Sequence, residues 1–198
     1  PNSGHTLKTK HLKEYKTILE KHGYSARFIG TEYRGHAKEI ISHLDKCDLV
    51  ISMGGDGTFN EAVTGNLQRK DRLVLAHIPV GTTNDVGVMF GYGKDIKRNL
   101  SLLLNGVIKE MDICIINGQP FVYVAGFGKF MHIPYQTSRT LKKKWGYLAY
   151  LIEGVKDFLS PTKLYKLSYK VNGIEKTGYY SFMLISNANR IAGINNFY

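Results

Sequence analysis

A glycine-rich run between a predicted strand and a predicted helix constrains this chain more than any other feature. Residues 52–61 read SMGGDGTFNE. The apolar residues Leu49–Ile51 before the run predict a buried strand, and Glu61–Val63 after it predict a helix. The first N–H groups of a helix have no partners within it, and the helix dipole is positive at that end. A strand, a glycine turn and a helix start therefore predict an anion-binding site.

An acid, Asp56, lies inside this turn. A carboxylate repels a phosphate unless a cation lies between them or the carboxylate holds a hydroxyl group. The run therefore predicts a phosphate-bearing ligand together with Mg²⁺ or a sugar. A simpler interpretation is a tight turn in which Asp56 and Thr58 are helix caps, but two adjacent glycines, an acid and a third glycine exceed what capping needs. The predicted ligand contacts are Gly54, Gly55, Asp56, Gly57 and Thr58, followed by Asn60 and Glu61, whose alternative role is ordinary helix-start polarity.

A second loop of similar design follows the next apolar run, Leu73–Ile78. Residues 79–85 read PVGTTND, and the hydroxyls of Thr82 and Thr83, with backbone N–H groups, are suited to phosphate oxygens. Asp85 is suited to holding water on Mg²⁺, which is often bound through few carboxylates and many waters. The simpler alternative is an N-cap with a favourable Asp in the first helical turn.

The order of apolar patterns predicts an α/β fold for the N-terminal part. Strand and helix patterns alternate, which is typical of a mostly parallel sheet covered on both faces. Ligands bind beyond the carboxyl ends of the strands in such sheets, and both loops follow strands. The predicted strands are Ser25–Ile29, Leu49–Ile51 and Leu73–Ile78, and the predicted helices carry Leu12, Tyr15, Ile18 and Leu19, then Ala37, Ile40, Ile41 and Leu44, then Ile96–Leu104.

The pattern changes after about residue 112. Asn117-Gly118 predicts a hairpin turn within residues 115–123, and alternating apolar and polar residues from Tyr165 to Val171 predict a strand followed by a second Asn-Gly turn and a strand at Tyr179–Ser186. Residues 141–159 predict one amphipathic helix. We therefore predict an α/β nucleotide-binding domain at residues 1–112 and part of a β-rich, antiparallel, sandwich-like domain at residues 113–198.

Composition limits the class of partner. The formal net charge of +11 favours anions such as nucleotides, nucleic acid or acidic lipid headgroups. No zinc-finger, helix-turn-helix or RNP pattern supports nucleic acid, so a basic nucleic-acid binder is only an alternative. Cys47 and Cys114 are predicted to be free thiols in a reducing compartment, and the scattered histidines do not predict a zinc site. No apolar run approaches about 18 residues and no signal peptide is visible, so we expect a cytoplasmic protein.

Three weaker candidates lie outside the two loops. Asn2, Ser3 and Gly4 are ordinary turn residues, and Thr31 follows a predicted strand. Asp112 is flanked by apolar residues, and it either holds metal-bound water or only ends a strand. A basic segment, residues 139–145, begins the amphipathic helix and is either a solvated face or a contact with an anionic membrane surface.

The two loops together resemble the diacylglycerol kinase catalytic-domain family, which includes bacterial soluble lipid kinases and sphingosine kinases. The resemblance rests on GGDGT with Asn60-Glu61 and on GTTND at residues 81–85. It is extended by Pro1–Gly4, by Thr31-Glu32 with His36-Ala37, and by residues 125–128 and 145–150, which look most like the bacterial branch. One departure is Val86-Gly87-Val88, where bacterial members usually have a more helix-favouring Ala-Arg.

The resemblance implies an ATP- and Mg²⁺-dependent lipid kinase of phospholipid synthesis that phosphorylates diacylglycerol to phosphatidic acid at the inner membrane face. Phosphate contacts would fall on Asn2, Ser3, Gly4, Thr31, the first loop and Thr82. Asp56, Asp85 and Asp112 would form a water-mediated Mg²⁺ network. The resemblance places the general base and a structural metal site beyond Tyr198, so we expect this chain to be catalytically incomplete and its β domain to lack strands. A homodimer is an open alternative.

Two rival functions also fit parts of the sequence. The first loop alone would suit an NAD kinase or a phosphofructokinase, whereas the second loop favours the lipid kinases. A nucleotide-binding regulatory module without turnover would need the same phosphate contacts. No Walker-type Gly-Lys-Ser sequence is present, which disfavours a P-loop kinase.

Overall fold

The computed structural model describes residues 9–81, 84–129, 160–188, 190–191 and 194–195. The helices are α1 (Thr9–Lys21), α2 (His36–His43), α3 (Asp56–Leu67), α4 (Asp85–Met89) and α5 (Ile96–Leu104). The strands are β1 (Val50–Gly54), β2 (Leu75–Pro79), β3 (Cys114–Ile116), β4 (Gln119–Phe121), β5 (Val124–Gly128), β6 (Tyr165–Val171), β7 (Ile174–Tyr180), β8 (Phe182–Ser186), β9 (Arg190–Ile191) and β10 (Ile194–Asn195).

The chain divides into two compact units. One comprises residues 1–123 with 187–198, and the other comprises residues 124–186. The five helices and β1–β4 belong to the first unit, and β5–β8 form the second. The predicted domain boundary near residue 112 stays a prediction.

A parallel strand pair organises the first unit. β1 and β2 pair from Val50 opposite Leu75 to Gly54 opposite Pro79, and α3 connects them. Since the strands are parallel and in register, both end at the same edge of the pair. The loops that follow them, the two loops singled out in the sequence, therefore leave that edge together, which confirms the predicted α/β arrangement for the described part.

The two faces of this pair are covered by different helices. Adjacent residues of a strand point to opposite faces, so Ile78 and His77 face opposite sides. On one side, Ile78 and Val80 pack with residues of α1 and α5 in a buried cluster that contains Tyr15, Leu19 and Leu100. On the other side, His77 stacks on Phe59 of α3 at 4.8 Å between ring centroids. Phe59 also belongs to a second buried cluster with Val63, Val86 and Val122.

The strands that follow in the sequence form antiparallel pairs. β3 pairs with β4 around Asn117 and Gly118, whose φ angles of 48° and 74° fit a type I′ turn. β6 pairs with β7 around Asn172-Gly173, and β5 pairs with β8. The two predicted hairpin turns are therefore confirmed, as are antiparallel strands in the C-terminal part. The strand predicted at 179–186 is divided at Ser181 between β7 and β8.

The strand predicted at Ser25–Ile29 is wrong, because these residues adopt no regular structure and pair with no described strand. Without a partner the backbone gains no ladder hydrogen bonds, and Phe28 and Ile29 are exposed. The amphipathic helix predicted at 141–159 and the basic segment 139–145 lie outside the described residues. Within the described part, no helix is long and apolar enough to cross a membrane.

Candidate active site at the ends of two parallel strands

The two loops approach each other through glycines. A Cβ on Gly81 would lie 2.8 Å from the Cα of Gly55 and 2.7 Å from Oδ1 of Asn84, so a side chain there would require the backbone to shift. Gly54 is restricted in the same way, because a Cβ there would lie 2.6 Å from the side chain of Thr58. Glycine is thus needed where the first loop turns into α3 and where the second loop packs against it.

Asn84 holds the second loop in a closed turn. Its Oδ1 accepts the N–H of Gly81 at 2.7 Å, and its Nδ2 donates to the carbonyl oxygen of Gly81 at 3.0 Å. Asn84 itself is left-handed, with φ 54° and ψ 40°, a conformation that Asn tolerates better than most residues. Sequence reasoning did not include Asn84 among the site residues, although its position within GTTND was a usable signal.

The carboxylate of Asp56 joins the two loops. Asp56 is the first residue of α3, but its side chain caps α4: Oδ2 accepts the N–H of Asp85 at 3.0 Å, and Oδ1 accepts the N–H of Val86 at 3.1 Å. The simpler interpretation, in which Asp56 caps its own helix, is therefore not what the structure has, since no side chain caps α3. A carboxylate oxygen can accept more than one hydrogen bond, so both oxygens retain capacity for water or a ligand.

The pKa of Asp56 is raised to about 6, chiefly by burial and also by the nearby carboxylate of Asp85, although the two N–H donors act to lower it. A carboxylate with a raised pKa is destabilised in its charged form. A cation bound beside Asp56 and Asp85 would relieve that destabilisation, so the two acids fit a Mg²⁺ ion held through water.

Asp85 is held by a different kind of partner. Its side chain is buried, with 1% of the residue exposed, and Oδ2 accepts the hydroxyl of Tyr123 at 2.8 Å. Tyr123 follows β4 in the sequence and, like Asn84, is a residue of the candidate site that sequence reasoning missed. Nothing in its spacing from the loops indicated that the first hairpin returns to them.

Gly87 belongs to the segment of α4 that departs from the family pattern, and it lies against the end of β2. A Cβ at Gly87 would lie 2.5 Å from Cγ of Pro79, the residue that ends β2. A side chain at residue 87 would force the proline ring or the backbone to shift, so glycine suits the close approach of α4 to the end of β2. The close contact keeps the first turn of α4 next to Asp56.

Asn60 and Glu61 connect α3 to its neighbours. Oδ1 of Asn60 accepts the N–H of Val122 at 3.0 Å, and Oε1 of Glu61 accepts the N–H of Gly35 at 2.9 Å. Gly35 precedes α2 and is left-handed, with φ 92°. These contacts give both residues a structural role, and ligand contact by them stays a prediction.

His77 lies in β2, on the face of the strand pair that α3 covers. It is 1% exposed, and Nδ1 donates to the carbonyl oxygen of Ser52 at 3.2 Å. Burial lowers the pKa of His77 to about 4, so the ring is neutral at pH 7. Within the described residues, His77 Nε2 and Ser52 Oγ are buried without a hydrogen-bond partner.

The other predicted site residues are not joined to Asp56 and Asp85 by described contacts. Asp112 is exposed, and its carbonyl oxygen accepts the side-chain N–H of Asn187 at 3.0 Å. Thr31 lies in the segment before α2. Asn2, Ser3, Gly4, Thr82 and Thr83 lie outside the described residues. Among the residues that the structure describes, no group of three or more His, Cys, Asp or Glu side chains could hold a metal ion directly.

Comparison with known proteins identifies the family. The model of the diacylglycerol kinase catalytic domain matches residues 1–116. The chain belongs to the diacylglycerol kinase catalytic-domain family. It is 33% identical to the diacylglycerol kinase of Bacillus subtilis (strain 168) over 196 residues, and 32% identical to that of Staphylococcus aureus (strain JH9), in each case over 98% of the chain.

These relatives are longer than the chain, which spans 64% of the Bacillus subtilis protein and 62% of the Staphylococcus aureus protein. The fold is also similar to that of a diacylglycerol kinase from Bacillus anthracis strain Sterne, with a TM-score of 0.73 and 24% identity over 98% of this chain and 64% of that one. The sequence resemblance to this family is thereby confirmed.

Proposed function

We propose that the chain is the nucleotide-binding part of a lipid kinase that transfers the γ-phosphate of ATP to the hydroxyl of diacylglycerol and forms phosphatidic acid. The observation that carries the proposal is the cross-loop contact of Asp56 with the first turn of α4, in a chain of this family. We further propose the domain division near residue 112 and a cytoplasmic enzyme that works at the inner membrane face.

The two loops would hold the phosphates of ATP. The phosphates would be held by backbone N–H groups and side chains of the two loops, the first turn of α3, the N-terminal turn and the segment before α2. The proposed contact residues are Asn2, Ser3, Gly4, Thr31, Gly54, Gly55, Gly57, Thr58, Asn60, Glu61, Thr82 and Thr83. Asp56, Asp85 and Asp112 would hold Mg²⁺ through water, and the ion would supply charge neutralisation at the phosphates. The raised pKa of Asp56 supports this assignment, because a partly buried carboxylate gains from a nearby cation.

The reaction needs little covalent chemistry from the protein. The acceptor oxygen forms a bond to the γ-phosphorus while the bond to the β–γ bridging oxygen breaks, ADP leaves, and the hydroxyl proton passes to a general base that we expect beyond Tyr198. Catalysis then depends on positioning and on electrostatic stabilisation. Asp56 would contribute to positioning, because its carboxylate accepts two N–H groups of α4 and so fixes that helix. It would contribute to electrostatic stabilisation through its negative charge in the first of the two loops.

Labelled ATP tests the proposal. The complete protein is incubated with labelled ATP and Mg²⁺, and the acceptor is varied between diacylglycerol vesicles, a panel of other lipid alcohols and NAD. We expect label in phosphatidic acid. Label in NAD phosphate would instead indicate an NAD kinase, and nucleotide binding without transfer to any acceptor would indicate a regulatory module.

A further inference from the structure

The tip of the β6–β7 hairpin carries an exposed aliphatic pair. Val171 and Ile174 face each other across the Asn172-Gly173 turn, whose φ angles are 50° and 81°. Val171 is 56% exposed and Ile174 is 63% exposed. The register places both side chains on one face of the hairpin, because residues that pair directly across the strands share a face.

The rest of that face is covered better than its tip. Leu167 and Tyr169 are half-buried, and the ring of Tyr169 lies edge-on to the ring of Tyr180 at 5.9 Å. Near the other end of the hairpin, Phe127 packs against Tyr165 at 5.8 Å. Packing within the second unit therefore leaves most of the aliphatic pair uncovered, and the pair is exposed to solvent together with the turn.

The hairpin is also basic. Residues 165–180 contain Lys166, Lys170 and Lys176 against the single acid Glu175, which lies opposite Lys170 in the register. An exposed aliphatic tip with basic flanks matches an anionic membrane surface, where apolar side chains enter the interface and lysines remain at the headgroups. A neutral or basic partner would match the apolar pair but not the lysines.

We propose that the β6–β7 tip inserts into the interface of an anionic lipid bilayer and so holds the second unit on the membrane. Insertion is shallow, because the turn exposes the side chain of Asn172 and backbone groups that need water or headgroups as partners. The proposal rests on the proposed lipid kinase function only in that the substrate would be met at a bilayer. It concerns residues that none of the assigned ligand contacts include.

Vesicle co-sedimentation of the 198-residue chain tests the apolar part of the proposal. Vesicles of phosphatidylcholine alone are compared with vesicles that also contain phosphatidylglycerol. We expect the parent chain to bind the anionic vesicles more tightly, and the double variant Val171→Ser/Ile174→Ser to bind them roughly tenfold more weakly, since it loses two apolar side chains from the interface. The matched control is Val107→Ser/Ile108→Ser, a second aliphatic pair, with both residues 78% exposed in the first unit. Equal loss in both double variants would overturn the proposal, as would parent-like binding by the tip variant.

A charge series tests the basic part without touching the apolar pair. Glu175→Gln removes the one acid of the hairpin and should tighten binding to anionic vesicles by roughly two- to fivefold, whereas Lys170→Gln should weaken it by a similar factor. Both effects should shrink at high salt, because screening shortens the reach of the charges. A purely structural role of these exposed residues would move both variants in the same direction, and that result contradicts the proposal. Unchanged thermal unfolding shows that each variant is folded.

The binding tests use no nucleotide, so they separate this inference from the kinase function. If vesicle binding depends on the tip but the complete protein transfers no phosphate, the membrane insertion of the tip is supported and the kinase function is rejected. Phosphate transfer with no dependence of vesicle binding on Val171 and Ile174 would do the reverse.

Discussion

Asp56 and Asp85 occupy the same local position, the first residue of the helix that follows a parallel strand, yet they are held in different ways. Asp56 accepts two backbone N–H groups from the other helix, whereas Asp85 accepts a hydrogen bond from the side-chain hydroxyl of Tyr123. The first acid therefore joins the two loops through backbone donors. A change of side chain in α4 would not remove these donors. The second contacts a tyrosine that follows β4. Two acids that look equivalent in sequence thus have unequal structural roles.

The largest effect is expected from Asp56→Ala in the complete protein. If the proposed function is right, the variant loses both the negative charge in the first loop and the contact that fixes α4, so phosphate transfer should fall by about 10²-fold or more. The measurement is kcat and KM with labelled ATP. A variant that retains most of its kcat would show that Asp56 serves only as a cap.

Gly81→Ala tests the contact between the two loops in terms of stability. The new methyl group would lie against the Cα of Gly55 and Oδ1 of Asn84, and we expect a loss of roughly 2–4 kcal/mol in the free energy of unfolding. The matched control is Gly57→Ala in α3, where a Cβ meets nothing within 4 Å and should stabilise the helix by about 0.5–1 kcal/mol. Denaturant unfolding of both variants gives the comparison, and equal values would contradict the tight contact.

Much of this arrangement followed from local sequence patterns. The apolar runs, the Asn-Gly turns and the glycine loops are local features, and they predicted the parallel pair, the two hairpins and the placement of both loops at strand ends. The partners of Asp56 and Asp85 were not predictable in the same way, because Val86 and Tyr123 approach them only through the tertiary fold. The strand predicted at Ser25–Ile29 failed for the complementary reason. Its residues have strand-forming side chains, but pairing depends on a neighbour that a local pattern does not specify.

The pH dependence of stability distinguishes Asp56 from His77. The folded-state pKa of Asp56 is about 6, above its usual 3.8, so the fold favours the neutral acid. The stability that Asp56 contributes is therefore present below about pH 4 and is lost as the pH rises through 6. The contribution of His77 to stability changes with pH in the opposite direction. Its folded-state pKa is about 4, below the usual 6.5, so its contribution is present above pH 6.5 and is lost as the pH falls towards 4.

Asp56→Asn isolates the first of these contributions. The amide does not titrate, so the stability of the variant relative to the parent should increase between pH 4 and pH 7 by roughly 1–3 kcal/mol, without Mg²⁺ or nucleotide. The hydrogen bond that the amide cannot accept adds an offset that does not change with pH. Urea unfolding of both chains across this range gives the difference. A difference that stays constant with pH would show that the pKa of Asp56 is not raised.

Tyr123→Phe should have the smallest effect and addresses Asp85 alone. The substitution removes one donor from a buried carboxylate and leaves the ring in place, so we expect a loss of about 1–2 kcal/mol in the free energy of unfolding. Tyr179→Phe is the control, because Tyr179 is 69% exposed and should change stability by no more than about 0.5 kcal/mol. If the two variants lose the same amount, the Tyr123 hydroxyl does not hold Asp85, and the contrast between the two acids fails. If only Tyr123→Phe loses stability, the first hairpin contributes to the site through a hydrogen bond that the loop sequences alone do not indicate.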